Sequence, residues 1–325
     1  MQKTVVILTN RRARFVPPYP YEELNELLRY RKPGWEYTNA AKYRGWDGYL
    51  HLIQRDSVGA GVFLALRTEM ERAATTRFIV RNQRRPPNFA VLPFEGGARD
   101  YQIECVGKMI AASETGGLIL NATGTGKTAL TGMYLKRLEG SALFLVDELT
   151  LLDQAQKELS SWLSESVGNI GNSLFNPKRV TVATVQTIHR HRFDPKFIPW
   201  AQKLQCIIID ELHLALNRSN FQSVAAIRPP VVFGLTATLE LRKRNVAYRA
   251  YDLCGPVVYE YPLQRGVEEG FLSKGVAISV SVSQDIEATA IKGNPRWSWV
   301  RARYKQQYHE MYEKVVVNGD RKSVV

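Results

Sequence analysis

Long apolar runs are missing from this chain of 325 residues. A membrane-spanning helix needs about 20 consecutive apolar residues, and the sequence contains no such run. Its first residues, MQKTVVILTNRR, offer only a short apolar stretch and no small-residue cleavage site, which argues against a secretory signal. We therefore expect a protein that is not secreted and that has no membrane as a partner.

Cysteine is also scarce, at three residues. Cys105, Cys206 and Cys254 are odd in number, widely spaced and each set among apolar neighbours. This pattern argues against a disulfide framework or a metal-binding cluster. We predict buried, reduced thiols and a cytoplasmic location.

Acidic residues are too few to balance the basic ones. The chain has 44 Lys and Arg against 31 Asp and Glu, a net charge of +13. Residues 1–95 alone hold 16 basic and 9 acidic residues. Such an excess favours a polyanionic partner, nucleic acid first and an anionic membrane second. A solvated basic surface without a partner is the alternative that charge alone leaves open.

Paired prolines divide the chain into two parts. The stretch Arg84-Arg-Pro-Pro-Asn88 interrupts regular structure. Residues 1–88, which end with this stretch, are predicted to form a small α+β domain. Within it the runs TVVIL, GYLHLIQ and GVFLAL favour strands, the last two around a Ser-Val-Gly-Ala-Gly turn. YEELNELLRY favours an amphipathic helix.

Residues 97–262 follow a different pattern. The apolar runs GLILN, SALFLV, RVTVAT and CIIID are each followed by a helical pattern, ELHLAL in the last case, and VVFGLTAT adds a further strand. Uniformly apolar strands are covered on both faces, so the alternation predicts an α/β domain with a parallel sheet. Residues 270–325 carry a strand-like GVAISVSVS and a long charged helical pattern.

The stretch Asn121-Ala-Thr-Gly-Thr-Gly-Lys-Thr128 follows one strand and opens a helix, the context of a phosphate-binding loop. Its glycines allow backbone amides to face phosphates, Lys127 adds a charge between the β- and γ-phosphates, and the Thr128 hydroxyl suits Mg²⁺. Asn121 replaces the usual first glycine. The predicted nucleotide-binding residues of the loop are Thr123, Gly124, Thr125, Gly126, Lys127 and Thr128. A purely structural glycine turn is the alternative.

Two acids follow the strand Cys206-Ile-Ile-Ile209. Ligands of parallel sheets bind at the carboxyl ends of the strands, so Asp210 is predicted to hold Mg²⁺ and Glu211 to orient and deprotonate the attacking water. Acids at a helix start are the alternative. A GTPase is disfavoured, since no Asn-Lys-x-Asp motif occurs.

Together these motifs resemble the superfamily 2 helicases with a DExH box, here Asp210-Glu-Leu-His213. The resemblance implies a RecA-like motor domain that uses ATP and Mg²⁺. It implies that Arg99 and Gln102 recognise adenine and that His213 links the γ-phosphate site to motif III. Further strings resemble motifs Ia, Ib and III, which implies nucleic-acid contact or coupling by Leu151, Gln154, Thr184, Gln186, Thr187, Thr236 and Thr238.

Ahead of the motor, Lys42-Tyr-Arg-Gly-Trp-Asp-Gly48 is similar to a stretch of the UvsW-type phage recombination helicases. Lys42 and Arg44 suit phosphates, and Trp46 could stack on a base or be buried beside a tight turn. No motif V or VI follows, and the end resembles only the lead-in to a second RecA-like domain, so we expect a truncated second domain.

The resemblance implies an ATP-dependent DNA helicase or translocase, expected as a monomer, that acts on branched or forked DNA. Its implied context is fork remodelling or Holliday-junction branch migration in recombination, repair or replication. Two alternatives stay open. DExH boxes also serve RNA helicases, and a chain without a second motor domain could be a non-enzymatic DNA-binding fragment.

Overall fold

The computed structural model describes residues 2–94, 97–171, 174–227 and 229–273. The strand and helix expected after residue 273, with most of the expected second RecA-like domain (270–325), lie outside this range. Within it, no helix has both the length and the apolar character that crossing a membrane requires. All three cysteines are buried and free, as predicted.

The first part of the chain forms a four-stranded sheet with helices and a small hairpin. Its elements are β1 (Gln2–Leu8), β2 (Arg12–Val16), α1 (Tyr21–Leu27), β3 (Arg29–Arg31), a 3-10 helix (Trp35–Tyr37), α2 (Asn39–Arg44), β4 (Tyr49–His51), β5 (Ser57–Gly59), α3 (Ala60–Ala73) and β6 (Thr76–Asn82). The sheet order is β5-β2-β1-β6, with β1 and β6 parallel, while β3 and β4 pair separately.

One predicted strand is wrong. GVFLAL lies inside helix α3, and only Ser57–Gly59 before it is extended. A short apolar run has no period of its own, but α3 continues into polar residues, buries Phe63 and Met70, and packs the partly buried Leu66 against the same core. This spacing of three and four residues is helical, and it becomes visible only when the pattern is followed to Met70.

The second part is a layered α/β structure. Its elements are α4 (Asp100–Ala111), β7 (Gly116–Asn121), α5 (Lys127–Arg137), β8 (Ala142–Val146), α6 (Leu149–Leu163), β9 (Gly168–Gly171), β10 (Leu174–Asn176), β11 (Val180–Thr184), α7 (Val185–His191), α8 (Phe197–Ala201), β12 (Cys206–Ile209), a 3-10 helix (Leu212–Leu216), α9 (Arg218–Ile227), β13 (Val231–Thr236), α10 (Arg244–Leu253), β14 (Val257–Tyr261) and α11 (Leu263–Glu268).

These strands form one sheet in the order β10-β9-β11-β8-β12-β13-β7-β14. All neighbours are parallel except the edge pair β9 and β10. The predicted α/β class with a parallel sheet is therefore confirmed. ELHLAL is a tight 3-10 turn rather than an α-helix, and β9, β10 and β14 were not predicted.

Strand β12 shows why the parallel sheet could be predicted from the sequence. Cys206 and Ile208 belong to the apolar layer on one face of the sheet, whereas Ile207 and Ile209 belong to the layer on the other. Since helices cover both faces, every position of the strand is buried and the run is uniformly apolar. The strand ends at Ile209, so Asp210 follows at the carboxyl edge of the sheet, where both apolar layers end.

Residues 1–273 form one compact unit. Gly61 at the start of α3 lies against the end of α10: a Cβ atom added there would be 2.0 Å from the Tyr251 carbonyl oxygen and 2.6 Å from Gly255 Cα. Tyr30 packs edge-on against Tyr248, at 6.0 Å between ring centroids. The domain limits 1–88 and 97–262 stay predictions, and the packing beside α10 shows that the two parts share a tight backbone contact.

Gly61→Ala tests this contact. The added methyl group meets backbone atoms that cannot rotate away, so we expect a loss of about 1–3 kcal/mol of folding stability, as in other overpacked sites. Urea unfolding measures it. Gly107→Ala in α4 is the matched control, because a Cβ there meets nothing within 4 Å and the change should be neutral or stabilise the helix by up to about 1 kcal/mol. Equal midpoints for the two variants would contradict the tight contact.

Candidate active site

The loop between β7 and α5 has the backbone that phosphate binding requires. Gly124 and Gly126 have φ angles of +85° and +77°, a left-handed conformation that glycine adopts without strain. A Cβ atom on Gly126 would lie 3.0 Å from Gln102 Nε2, and one on Gly124 would lie 3.2 Å from Leu272 Cδ2. Lys127 is the first residue of α5, so the loop ends at a helix N-terminus, where backbone amides attract anions.

Three side chains hold this loop in place. The buried Thr125 hydroxyl donates to the Ala122 carbonyl at 2.8 Å. The Thr125 carbonyl accepts from the Tyr101 hydroxyl at 2.8 Å and from Gln102 Nε2 at 3.2 Å. Sequence reasoning missed Tyr101, although it lies between two residues that were singled out. Its ring also stacks on Tyr261 at 4.2 Å, so it ties the loop to strand β14.

Gln102 uses both ends of its amide within the protein. Its Oε1 accepts from the Arg99 backbone N at 3.1 Å, which caps α4, while its Nε2 supports the loop. The Arg99 guanidinium donates to the Tyr101 hydroxyl at 3.1 Å and lies 5.0 Å from the centroid of the Phe271 ring. Adenine recognition by Arg99 and Gln102 stays a prediction, and the contacts add a loop-supporting role for Gln102.

Lysine and carboxylates meet where β12 ends. Lys127 Nζ lies 2.8 Å from Glu211 Oε1, and His213 Nδ1 lies 3.3 Å from Glu211 Oε2. The Glu211 backbone N donates to Asp210 Oδ1 at 3.0 Å. Glu211 has a φ of +47°, a left-handed conformation uncommon outside glycine. The structure thus brings together the four residues predicted to be catalytic.

The environment of Asp210 is electrostatically mixed. Burial raises the pKa of its carboxyl group, the neighbouring Lys127 lowers it, and the Glu211 and Asp147 carboxylates raise it. A divalent cation beside Asp210 would favour its ionised form. In the described part of the chain no group of three or more acidic, His or Cys side chains could hold a metal. Mg²⁺ held by Thr128, Asp210, nucleotide phosphates and water fits this donor set.

The predicted coupling residues form local contacts instead of reaching His213. Thr236 is buried and donates its hydroxyl to the Thr238 carbonyl at 3.1 Å. Thr184 caps α7 by accepting from the Thr187 backbone N at 3.1 Å. Among the described residues, no hydrogen bond joins His213 to Thr236 or Thr238, so the predicted link between the γ-phosphate site and motif III stays a prediction.

A cavity of about 610 Å³ opens where β8 and β11 end. Asp147 and Glu148 line it on one side and Thr184, Gln186 and Thr187 on the other. On the neighbouring helix α6, Leu151 and Gln154 are exposed, and Gln154 Nε2 donates to Glu158 at 2.9 Å. Of these residues, Leu151, Gln154, Thr184, Gln186 and Thr187 are the ones predicted to contact nucleic acid or to take part in coupling, and they lie at or beside this edge of the sheet.

The remaining predicted contacts lie on α2 and just after it. Lys42 and Arg44 are exposed in the last turn of α2, and Tyr43 between them is 82% exposed. Trp46 is half-buried, and its indole N–H donates to the Tyr49 carbonyl at 3.1 Å. The half-buried ring fits a turn residue, and stacking of Trp46 on a base stays a prediction.

Asp210→Asn tests the electrostatics of the site. Because burial raises its pKa, the folded state binds this proton more readily than the unfolded state, and stability falls as pH rises between the ordinary and the raised value. Without Mg²⁺ or nucleotide, Asp210→Asn should therefore raise the urea midpoint at neutral pH. The gain should vanish towards about pH 4, the ordinary range of Asp.

Asp194→Asn is the control with opposite sign. The hydrogen bond from the Lys196 backbone N lowers the pKa of Asp194, so its contribution is present at neutral pH and is lost as pH falls. This variant should lower the midpoint at neutral pH. A lower midpoint for Asp210→Asn as well would show that attraction to Lys127 outweighs burial at Asp210.

The sequence is similar to those of several known proteins. Residues 95–241 match the family described as type III restriction enzyme, res subunit. The chain is 28% identical over 203 residues to the type I restriction enzyme EcoAI endonuclease subunit of Escherichia coli, covering 58% of this chain and 25% of that protein. It is 27% identical over 172 residues to the DNA 3'-5' translocase XPB2 of Sulfurisphaera tokodaii, covering 53% of this chain and 36% of that protein.

Among solved structures, the chain is similar to the UvsW helicase from bacteriophage T4, with a TM-score of 0.63 and 17% identity over 80% of this chain and 100% of that one. This likeness concerns the fold. The two sequence relatives are matched over about a quarter and a third of their own lengths. The matched segment, the relatives and the fold agree with the resemblance to superfamily 2 helicases: residues 95–241 are similar to the family described as type III restriction enzyme, res subunit, and the fold is similar to that of the UvsW helicase.

Proposed function

We propose that this chain is an ATP-dependent DNA translocase or helicase that acts on branched DNA. The observation that carries the ATPase part is the meeting of Lys127, Asp210 and Glu211 at the carboxyl edge of a parallel sheet, beside a glycine loop. The combination offers a phosphate cradle, a metal-binding carboxylate and a base within one site.

In the proposed reaction, ATP first competes with Glu211 for Lys127. The 2.8 Å ion pair breaks as Lys127 turns to the β- and γ-phosphates, which frees Glu211 Oε1. Glu211 then accepts a proton from water as the water oxygen bonds to the γ-phosphorus and the bond to the β-phosphate oxygen breaks. His213, 3.3 Å from the other carboxylate oxygen, holds the Glu211 side chain in position. Mg²⁺ would neutralise phosphate charge next to Thr128 and Asp210.

Three features support DNA as the partner. The net charge is +13, with a surplus of seven basic residues in residues 1–95. Lys42 and Arg44 are exposed beside the exposed ring of Tyr43. One relative of the motor domain is named a DNA translocase. We assign the preference for branched DNA to the first part of the chain, where the exposed Lys42, Tyr43 and Arg44 lie.

Lys127→Ala and Glu211→Gln should fail in different ways. Lys127→Ala removes the charge nearest the transferred phosphate and should weaken nucleotide binding and abolish hydrolysis. Glu211→Gln also releases Lys127 from its ion pair, so ATP should bind at least as tightly while turnover falls by roughly two to four orders of magnitude. Fluorescent-nucleotide titration and phosphate release measure the two effects.

Glu22→Gln, an exposed acid on α1, is the control for this pair and should behave as the unmodified chain does. If Glu211→Gln lost nucleotide binding as completely as Lys127→Ala, Glu211 would be a structural support of the loop instead of the base.

Lys42→Ala combined with Arg44→Ala should weaken DNA binding by removing phosphate contacts. Each lost contact should flatten the dependence of log affinity on log salt by about 0.9, so the double variant should lose up to about two units of slope. We expect a larger effect on a four-way junction than on a plain duplex. Salt titrations of both DNAs, with an RNA duplex of equal length beside them, provide the measurement.

Arg77→Ala with Lys108→Ala is the matched control, since both side chains are exposed and the change in net charge is the same. An equal loss of slope in the two double variants would mean that α2 contributes only general charge. Stronger binding of the RNA duplex than of either DNA would replace DNA by RNA as the substrate.

A further inference from the structure

A second cleft, also of about 610 Å³, separates the first part of the chain from helices α9 and α10. Its apolar floor is built by side chains from both parts. Tyr30 and Tyr248 are nearly perpendicular, with 6.0 Å between ring centroids, and both are more than nine-tenths buried. Leu50 and Leu52 pack against them. The Tyr248 hydroxyl donates to the Leu27 carbonyl at 2.9 Å, which fixes the floor.

An aromatic ring of fixed orientation forms one wall. The Trp46 indole N–H donates to the Tyr49 carbonyl at 3.1 Å, so the ring is held in one orientation while it stays only half-buried beside the cleft. Lys32 Nζ lies 6.0 Å from the ring centroid. A positive charge therefore stands beside an accessible aromatic face.

The opposite wall carries a second fixed cation. Arg249 on α10 donates to the Leu216 carbonyl at 3.0 Å and to the Tyr30 hydroxyl at 3.4 Å. Gln222 on α9 is exposed and also lines the cleft. The walls thus offer an aromatic face, side-chain amide groups and two cations. Asp252 is the acidic residue among those that line the cleft, and burial raises its pKa, so its negative charge is disfavoured there.

This combination fits a planar ligand with apolar faces, polar edges and an attached negative charge. A nucleobase on its phosphate has these properties, because every base can stack on an aromatic ring while its edge takes hydrogen bonds. The exposed Lys42 and Arg44 shortly before Trp46 in the chain add positive charge for the flanking phosphates. We propose that this cleft binds one unpaired nucleobase. The proposal rests on the proposed nucleic-acid function and gives it a base-binding site shared by both parts of the chain.

The test compares two single strands of equal length and charge, an oligothymidylate and an abasic strand. A base in the cleft should make the oligothymidylate bind about five- to a hundredfold more tightly, the range that stacking of one base gives. Two variants should remove this preference. Trp46→Leu takes away the stacking wall, and Gln222→Trp fills the cleft from an exposed position without altering its floor. Both should leave abasic-strand affinity unchanged.

Gln222→Ala is the matched control: it removes one amide group but leaves the cleft and the Trp46 ring open, so most of the preference, which stacking supplies, should remain. Thymidine monophosphate as a competitor distinguishes a free nucleotide from a strand-borne base as the occupant, and in either case the two variants must abolish the base-dependent part of binding.

The preference surviving in both Trp46→Leu and Gln222→Trp, or missing from the unmodified chain that still binds both strands, would overturn the cleft assignment alone. Binding of neither strand, nor of duplex or junction DNA, would instead overturn the proposed DNA function. Circular dichroism melting of each variant checks that the fold is retained, and Gln222→Trp keeps the test decisive if Trp46→Leu unfolds.

Discussion

The ion pair between Lys127 and Glu211 joins two chain segments that lie 84 residues apart. Only 12% of the lysine side chain is exposed, so its charge has lost most of its water and needs a partner. Glu211 supplies one, and the nearby Asp210 adds a second negative charge in a mostly buried position. The pair can form only because β7 and β12 are parallel and direct their carboxyl ends to the same edge of the sheet.

Contacts on both sides of the ion pair hold the loop after β7 and the turn after β12 in place. On the loop side, the Tyr101 and Gln102 side chains of α4 donate to the Thr125 carbonyl. These hydrogen bonds fix the glycine turn against α4. On the carboxylate side, the left-handed backbone of Glu211 turns the chain sharply after β12 and into the 3-10 helix Leu212–Leu216. A strained residue persists only where its surroundings determine it, and the contacts of its side chain with Lys127 and His213 do so here.

How much could be predicted from sequence depends on how local the cause is. The run Cys206–Ile209 is buried on both faces, and this burial accounts for four uninterrupted apolar residues at that point of the sequence. GVFLAL was read as a strand because its helical period appears only with Met70 and the polar residues beyond it. The contact between Arg249 and Tyr30 spans 219 residues, and no local pattern encodes such a pairing.

The same distant residue, Arg249, also connects the cleft to the carboxylates that follow β12. Arg249 holds the Leu216 carbonyl at 3.0 Å, and Leu216 ends the five-residue 3-10 helix that starts directly after Glu211. The helix is therefore fixed at one end by the ion pair with Lys127 and at the other by a wall residue of the cleft. A displacement of Arg249 has to move this short helix or break its hydrogen bond, because a single 3-10 turn has no further residues to absorb the change. The geometry thus links the cleft and the proposed ATP site through one short element, the 3-10 helix Leu212–Leu216, which is held at both ends.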